Sequence, residues 1–455
     1  FQDKSVSCFY SNNKLISSEN SGLNLAFTKK SIQVLPGSRS RIMTENESEW
    51  WSRLSIISSK VYPVPGDETQ WERVLSFYSS TASAREEKRE LNSNLPLIEN
   101  LLNEVSLNRR WSYEKARAIF ELMIPKDFKE NIRRNANLLW VLDKYTASFP
   151  WELMQVGSKE EKPLCISSKM IRQLATQDYT IEPNITNSNS VLIVGDPDLA
   201  GYTKAGQLDG AAREAEEVYK GITRLNAGLQ VEVPVIRGNS DDILTALFKQ
   251  DYKILHLAGH GILSEKREHE SGMLIGKKAG LDEVVLLTPR QIAQLPNPPE
   301  LVFVNCCFLR RINPYAEELS ASRFRLAANI GTQLIESGAK AVVVAGWEID
   351  DNAALFFAKV FYDNMLQNKT FGEAVYRARV HVYEHFPNSN TWGAFQCYGQ
   401  PDYTLGLMQN EAGGNTPRQY SIVVEALNDL ENLLSKCDVP FYSVTELKTE
   451  LRLIE

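Results

Sequence analysis

The chain has 455 residues, of which 43% are hydrophobic and 24% are charged, a globular composition that excludes global disorder. Its formal net charge of −7 gives no sign of the basic surface that nucleic-acid-binding proteins carry. No apolar run of about 18 residues is present, so no membrane-spanning helix is predicted.

The chain begins at Phe1 rather than at a methionine, so we expect a fragment, a trimmed chain or a processed product. Its first residues lack the basic segment followed by an apolar segment that is typical of a signal peptide. The six cysteines are scattered except for Cys306 and Cys307, and no Cys-x-x-Cys is present. Neither a disulfide framework nor a zinc knuckle is therefore predicted, and a reducing cytoplasm is expected. No phosphate loop or dinucleotide fingerprint is present either, so we expect no cofactor.

Four regions follow one another along the chain. Residues 1–104 are predicted to be an N-terminal α+β extension, a sensor or docking region, in which 81–104 reads as helix. Residues 105–190 alternate helix and strand signals, and 191–408 continue this as a regular α/β core. Residues 409–455 are predicted to be an amphipathic helical tail that packs on the core or begins a repeat or partner-binding element.

The core region alternates short apolar strands with helices. The strands are SVLIVG, VEVPVI, KILHLAGHG, ELVFVNCC and AVVVAGW, and the helices between or after them include LDGAAREAEEVYKGI and DNAALFFAKVFYDNML. Wholly apolar strands joined by helices indicate a mostly parallel sheet that helices cover on both faces. The predicted fold class is therefore α/β, and ligands of such sheets bind beyond the carboxyl ends of the strands.

Two of these strands run into loops that carry reactive side chains. His260 follows KILHLAG and Cys307 follows ELVFVNC. A deprotonated thiol is a strong nucleophile and an imidazole is its natural general base. The glycines on either side of His260 allow close approach of a substrate, and the backbone N–H groups of Gly261 and Cys307 are candidate oxyanion donors.

Each of these residues also has an ordinary structural explanation. A cysteine at the end of an apolar strand is most often a small buried residue, and a histidine in a glycine-rich loop often has no catalytic role. His256 lies four residues before His260 and is expected to pack within the sheet. The alternative is that its side chain orients the side chain of His260. The occurrence of His260 and Cys307 at two strand ends of one sheet favours the catalytic interpretation.

Several motifs follow one another over about residues 105–408: IFELMIPKDF, FPWELM, KPLCISSKMIRQL, LDGAAREA, KILHLAGHG, LVFVNCC, IESGAKAVVVAGW, TFGEAVYRAR and TWGAFQCYGQP. Their order resembles a CHAT domain, a caspase-like cysteine peptidase related to caspases, metacaspases and separase. The resemblance implies a caspase-like fold in which 191–408 is the catalytic core; the N-terminal extension and the helical tail lie outside the motifs that carry it.

The resemblance also implies roles for individual residues. The family's catalytic histidine directly precedes a glycine, which makes it His260, and its catalytic cysteine is the second residue after the strand's asparagine, which makes it Cys307. Cys306 stands where the family usually has alanine and is expected to point into the core, with an exchange of roles as the alternative. The small Ser-Gly that usually follows the nucleophile is replaced by Phe308 and Leu309.

Acidic residues near the predicted strand ends suggest a pocket for a basic P1 side chain. Glu214 stands where LDGAAREA would place the pocket aspartate of metacaspases, and Asp196, Asp198 and Asp351 lie in adjoining loops. Carboxylates there would bind P1 Arg or Lys through charge-assisted hydrogen bonds. The alternatives are a solvated helix-face carboxylate for Glu214 and a helix cap for Asp351 and its neighbour Asp350.

A competing motif is HVYEH at 381–385, the inverted zinc-peptidase signature. On a helix, His381 and His385 would share a face with Glu384 as general base. Pro387 follows at once and a third ligand would have to come from downstream, so surface histidines are the favoured interpretation.

The sequence thus predicts a cytoplasmic cysteine endopeptidase that cleaves a protein substrate. The resemblance implies a bacterial antiviral or cell-death role, an activating sensor or partner protein, and a substrate such as a gasdermin-like pore former. The segment 308–325 follows the nucleophile and is long and polar, and the resemblance implies that such a loop can gate the site. Arg310 and Arg311 are candidate self-cleavage points if P1 is basic, but an ordinary surface loop is the favoured interpretation. The alternative function is a catalytically silent interaction scaffold; no membrane or direct nucleic-acid binding is expected.

Overall fold

The computed structural model describes residues 51–407 apart from 65–66, 81–85, 92–97, 99, 103, 106–109, 135–136, 176–187, 200–201, 203–205, 226–227, 263–270, 278–283, 309–322 and 348, together with 9–11, 14–16 and 430. Residues 46–409 form one compact unit, and residues 1–45 with 410–455 form another. The predicted tail (409–455) apart from residue 430, and Arg310, Arg311, Cys8 and Cys437, lie outside the described residues.

The described strands number sixteen. They are β1 (Phe9–Ser11), β2 (Lys14–Ile16), β3 (Ser52–Val64), β4 (Asp67–Ser80), β5 (Glu86–Leu91), β6 (Asn137–Leu142), β7 (Lys169–Leu174), β8 (Ser190–Gly195), β9 (Gln230–Val231), β10 (Val235–Ile236), β11 (Ile254–Ile262), β12 (Gly272–Lys277), β13 (Val284–Leu287), β14 (Leu301–Phe308), β15 (Ala341–Ala345) and β16 (Phe395–Gly399).

The principal helices of the described part are nine. They are α1 (Tyr113–Met123), α2 (Lys126–Arg134), α3 (Leu164–Ser167), α4 (Asp209–Leu225), α5 (Ser240–Leu247), α6 (Pro289–Ile292), α7 (Arg323–Glu336), α8 (Asp351–Leu366) and α9 (Phe371–His385). Within this part, no helix combines the length and the apolar character needed to cross a membrane.

Fourteen strands form one sheet in the larger unit. Its order is β10-β8-β11-β14-β15-β16-β7-β6-β3-β4-β5, and β9, β12 and β13 pair at its margins. The strands from β10 to β15 are parallel, as are β16, β7, β6 and β3 among themselves, whereas β16 is antiparallel to β15. The predicted α/β class with a mostly parallel sheet is confirmed.

Helices cover the central strands on both faces because alternate side chains of these fully buried strands point in opposite directions. On one face Phe303 of β14 packs against Phe357 and Phe361 of α8. On the other, α7 lies so close that a Cβ at Gly331 would stand 2.8 Å from the ring of Tyr398. Core side chains thus sandwich the sheet and fix the ends of its strands.

The N-terminal region departs from the predicted boundary at residue 104. Strands β3, β4 and β5 belong to the large sheet, since β3 pairs in parallel with β6 over Ser52–Ile56 and carries β4 and β5 beyond it. The helix predicted over 81–104 is wrong at its start, because Glu86–Leu91 pairs with Leu75–Ser80 as strand β5. Pairing to a neighbouring strand outweighed the polar composition of this segment.

One predicted strand is also divided. VEVPVI folds as two two-residue strands, Gln230–Val231 and Val235–Ile236, which pair with opposite ends of β8. Pro234 lacks the N–H that a continuous ladder would need, so the pairing stops around it.

Candidate active site

The candidate catalytic residues lie on neighbouring strands at the carboxyl edge of the sheet. Strands β11 and β14 are parallel, and their ladder pairs His260 with Cys307 directly. Both residues were expected in loops, but β11 continues to Ile262 and β14 to Phe308, so both belong to the ends of strands. The chain passes from β8 outward to β10 and returns to β11 on the other side of β8, the kind of reversal that opens a crevice at the carboxyl ends.

The alternation of β14 separates the two adjacent cysteines. Residues 303, 305 and 307 share one face of the sheet, the face on which Asn305 and Phe303 contact α4 and α8. Cys306 belongs to the other face, takes part in no disulfide, and has 2% of its surface exposed. The expectation that Cys306 points into the core is confirmed, and position 307 shares a face with position 260.

The His260 ring is anchored by its outer nitrogen. Nε2 lies 2.8 Å from the carbonyl oxygen of Gly206, in the segment before α4. A carbonyl only accepts, so Nε2 carries the hydrogen and donates it, and Nδ1 of the neutral ring keeps its lone pair. The ring is thus in the tautomer that can take up a proton at Nδ1.

Burial favours the neutral form of this imidazole. Desolvation lowers the pKa of His260 below its ordinary value of 6.5, and it outweighs the opposing influences of the Gly206 carbonyl, Asp196 and Asp351, which raise the pKa. A neutral imidazole at pH 7 can accept the proton of a thiol.

The two glycines beside His260 occupy different environments. Gly261 pairs with Phe308 of β14 and with Met273 of β12, one residue beyond the His260–Cys307 pair. A Cβ on Gly259 would stand 2.7 Å from the Cε of Met273 and 3.0 Å from Pro197, so packing favours a small residue at this position.

Asp196 shapes the loop after β8 rather than offering a free carboxylate. It is 1% exposed, has a φ of 47°, and accepts hydrogen bonds from the N–H of Leu208 at 2.6 Å and from Nε of Arg237 at 3.0 Å. Arg237 also bonds to Asp209. These contacts tie the end of β8 to the start of α4 and leave Asp196 buried behind the half-exposed Arg237 side chain.

Asp198 and Asp351 lie nearer the surface. Asp198 is half-buried and accepts a hydrogen bond from Gln207. Asp351 is exposed in the first turn of α8, whose N-cap is Asp350. A Cβ at Gly210 would stand 2.6 Å from the carboxyl carbon of Asp351, so α4 and α8 meet closely there. The cap prediction is confirmed for Asp350.

Glu214 is deeply buried. Its side chain is 2% exposed; one oxygen accepts a hydrogen bond from Nδ2 of Asn305 at 2.5 Å, and the other lies 3.4 Å from Nε2 of His256. The alternative of a solvated helix-face carboxylate is therefore wrong, and this burial also disfavours a direct contact with a P1 side chain. His256 is wholly buried and stacks on Phe303, as expected for packing within the sheet.

Sequence reasoning missed three residues of this site. They are Gly206, which holds His260, Asn305, which bonds Glu214, and Tyr362, whose hydroxyl lies 3.2 Å from Nδ1 of His256. The asparagine was visible in the VFVNCC motif, but nothing in the sequence indicates that α4 supplies its partner.

The competing zinc motif lies at the C-terminal end of α9. His381 and His385 stack on Phe356 with their rings 4.2 Å apart, and Nδ1 of His385 contacts the carbonyl of His381. Among the residues that the structure describes, no group of three or more His, Cys, Asp or Glu side chains is placed to hold a metal ion. The zinc alternative thus has no third ligand of these types in the described part.

Several solved structures align with this chain at low identity. The Arg-specific cysteine proteinase gingipain R is 12% identical, with 67% of this chain and 74% of that chain covered and a TM-score of 0.40. The complex of its pro- and mature domains from Porphyromonas gingivalis is 11% identical, with 68% and 76% covered and a TM-score of 0.40. The separase–securin complex from Saccharomyces cerevisiae is 12% identical, with 58% and 16% covered and a TM-score of 0.33.

No curated protein matches the chain. The model of one protein family does match it, over residues 113–400, and that family is described as the CHAT domain. The match contains β8, β11, β14 and β15 together with the helices that cover them. Because it spans more than half of the sequence, this chain belongs to the CHAT domain family.

Proposed function

We propose that this CHAT domain is a cysteine endopeptidase in which Cys307 is the nucleophile and His260 the general base. The observation that carries the proposal is the direct pairing of the two residues across β11 and β14. A second observation supports the proposal: Nε2 of His260 donates its hydrogen to the carbonyl of Gly206, which leaves Nδ1 without a hydrogen. A thiol and a base at adjacent strand ends form the minimal arrangement for acyl transfer.

In the proposed reaction, Nδ1 of His260 accepts the thiol proton of Cys307 and the sulfur attacks the scissile carbonyl. The backbone N–H groups of Gly261 and Cys307 are the proposed donors to the oxyanion, and the loss of one such donor would cost about 10²-fold or more in rate. The imidazolium then protonates the leaving amine, and water releases the acyl group by the reverse sequence of proton transfers.

A basic P1 residue is the proposed preference. The support is electrostatic, because the negative charges of Asp196 and Asp351 both act on the imidazole of His260 and raise its pKa. Asp351 and Asp198 are the more accessible carboxylates and are proposed to contact P1, while Asp196 supports the loop. Activation by a sensor or partner protein in the cytoplasm, a defence or cell-death role and a gasdermin-like substrate remain proposals from the family resemblance.

A thiol-directed activity probe and a peptide library with all P1 residues test this function. Wild type should be labelled at Cys307 and should cleave after Arg or Lys, whereas Cys307→Ala and His260→Ala should lose about 10³-fold or more in kcat/KM. Cys306→Ala is the matched control, since Cys306 is buried beside the nucleophile in the sequence and its thiol should be dispensable for cleavage. Burial raises the pKa of Cys165 and Cys397 to about 12, so these thiols should stay unlabelled.

An interaction scaffold is the second candidate. If Cys307 remains unlabelled with every activator tried while exposed thiols react, or if Cys307→Ala cleaves as well as wild type, the peptidase proposal fails.

A further inference from the structure

The face of the sheet that carries the His260–Cys307 pair also contains a buried polar cluster, formed by Glu214, Asn305, His256 and Tyr362. Asn305 precedes Cys307 by two residues on β14, and His256 precedes His260 by four residues on β11. An even spacing along a strand keeps residues on one face, so Asn305 and His256 lie on the same face as the His260–Cys307 pair. Glu214 of α4 reaches both strands, bonding Asn305 at 2.5 Å and lying 3.4 Å from His256.

Packing alone does not explain why a glutamate occupies position 214. The other buried positions of α4 hold Gly210, Ala212, Ala215, Val218 and Ile222, all small or apolar. A buried carboxylate is costly to desolvate, and replacing such a polar group by an apolar one of similar volume is often neutral or stabilising. A carboxylate at this position therefore adds little to stability by itself and calls for another explanation.

The cluster is anchored from the opposite side by α8. The hydroxyl of Tyr362 lies 3.2 Å from Nδ1 of His256, and burial, followed by the nearby charge of Glu214, raises the pKa of this tyrosine well above 10. A protonated phenol can donate to Nδ1, which directs the N–H at Nε2 of His256 towards Glu214. The 3.4 Å contact there lacks hydrogen-bond geometry, so the Asn305–Glu214 bond is the firm link of the cluster.

We propose that Glu214 is a positioning residue, which holds the ends of β11 and β14 in the register that brings His260 and Cys307 together. Its carboxylate fixes Asn305, two residues before the nucleophile, and faces His256 on the adjacent strand. The inference rests on the proposed peptidase function and assigns Glu214 to orientation of the reacting groups rather than to a P1 pocket.

Two substitutions of graded severity test this role. Glu214→Gln keeps an oxygen that can accept from Asn305, whereas Glu214→Met keeps the volume and removes the acceptor. We expect Glu214→Met to lower kcat by about 10- to 100-fold, the scale on which a small misplacement of reacting groups acts, and Glu214→Gln to retain most of the activity. KM and the preferred P1 residue should change little in both variants.

The readouts are steady-state cleavage of a fluorogenic amide with arginine at P1, thermal unfolding, and the rate at which iodoacetamide alkylates Cys307, followed by mass spectrometry. A residue that acts only on stability would lower the melting temperature of Glu214→Met and leave kcat of the folded enzyme unchanged. Glu216→Gln is the matched control, since Glu216 is an exposed carboxylate on the same helix. Should Glu214→Met fail to fold, Asn305→Ala removes the same bond from β14.

Wild-type kcat in Glu214→Met, or a changed P1 preference in Glu214→Gln, would overturn the positioning role. If wild type shows no Cys307-dependent cleavage, the proposed function fails, and the alkylation rates then decide the inference alone. A slower rate in Glu214→Met than in Glu214→Gln and wild type would support it, and equal rates would overturn it.

Discussion

Glu152 provides a sharp test of how this fold is held together. It is fully buried between two arginines that are also fully buried, Arg172 of β7 and Arg379 of α9. Its Oε1 accepts from Nε of Arg172 at 2.8 Å and from Arg379 at 3.3 Å, and its Oε2 accepts from Arg172 at 2.5 Å. We predict that Glu152→Gln strongly destabilises the protein.

The magnitude follows from the charges that would remain. Burial lowers the pKa of Arg172, but Glu152 and Tyr398 outweigh it and raise the pKa, so the guanidinium stays charged. Without Glu152, both arginines keep only uncharged partners, including the carbonyl oxygens of Ala147 and Phe395. Breaking a buried ion pair costs about 3–5 kcal/mol, a large share of the roughly 5–15 kcal/mol by which proteins are stable.

Urea unfolding followed by tryptophan fluorescence and by far-UV circular dichroism measures this loss, provided that the two transitions coincide. The matched control is Glu130→Gln, because Glu130 pairs with Arg133 at 2.8 Å on the exposed side of α2. That substitution should change the free energy of unfolding by about 0.5 kcal/mol or less. A loss below about 1 kcal/mol for Glu152→Gln would refute the reasoning, since it would mean that the two arginines do not need this carboxylate.

Three further predictions concern the proposed reaction. Because desolvation lowers the pKa of His260, its base form persists below pH 6.5, and the acid limb of kcat/KM should have its midpoint below 6.5; a midpoint above 6.5 would contradict this. Asp351→Asn removes an influence that raises this pKa, so the midpoint should move to still lower pH, less so at high salt; no shift at low salt would exclude Asp351 as a neighbour of the imidazole. Cleavage should survive His381→Ala and metal chelation, and loss of activity in both would favour the zinc alternative.

The class of the fold and the identity of the candidate pair could be predicted because their signals are local. Apolar runs such as 190–195 and 341–345 are wholly buried strands in the structure. Gly338 follows α7 with a φ of 110°, a backbone conformation that favours glycine at the end of a helix. The N-cap of α5 is Asn239, whose side chain accepts from the N–H groups of Asp241 and Asp242.

The extent of the sheet could not be predicted in the same way. The pairing of β3 with β6 joins residues more than 80 positions apart, and hydrogen bonds of this kind leave no mark in the local pattern. The polar segment that became β5 likewise follows from its neighbour β4 rather than from its own composition.

The sequence by itself determined which residues could react, since the strand pattern places Cys307 and Cys306 on opposite faces and a glycine-flanked histidine at a strand end. Only the tertiary structure decided that strands β11 and β14 are neighbours in the register that pairs His260 with Cys307. It also decided that Glu214, which resembles a pocket carboxylate in the sequence, is buried against Asn305. The physical reason is that side-chain alternation is a property of one strand, whereas register and burial depend on which helices and strands pack together.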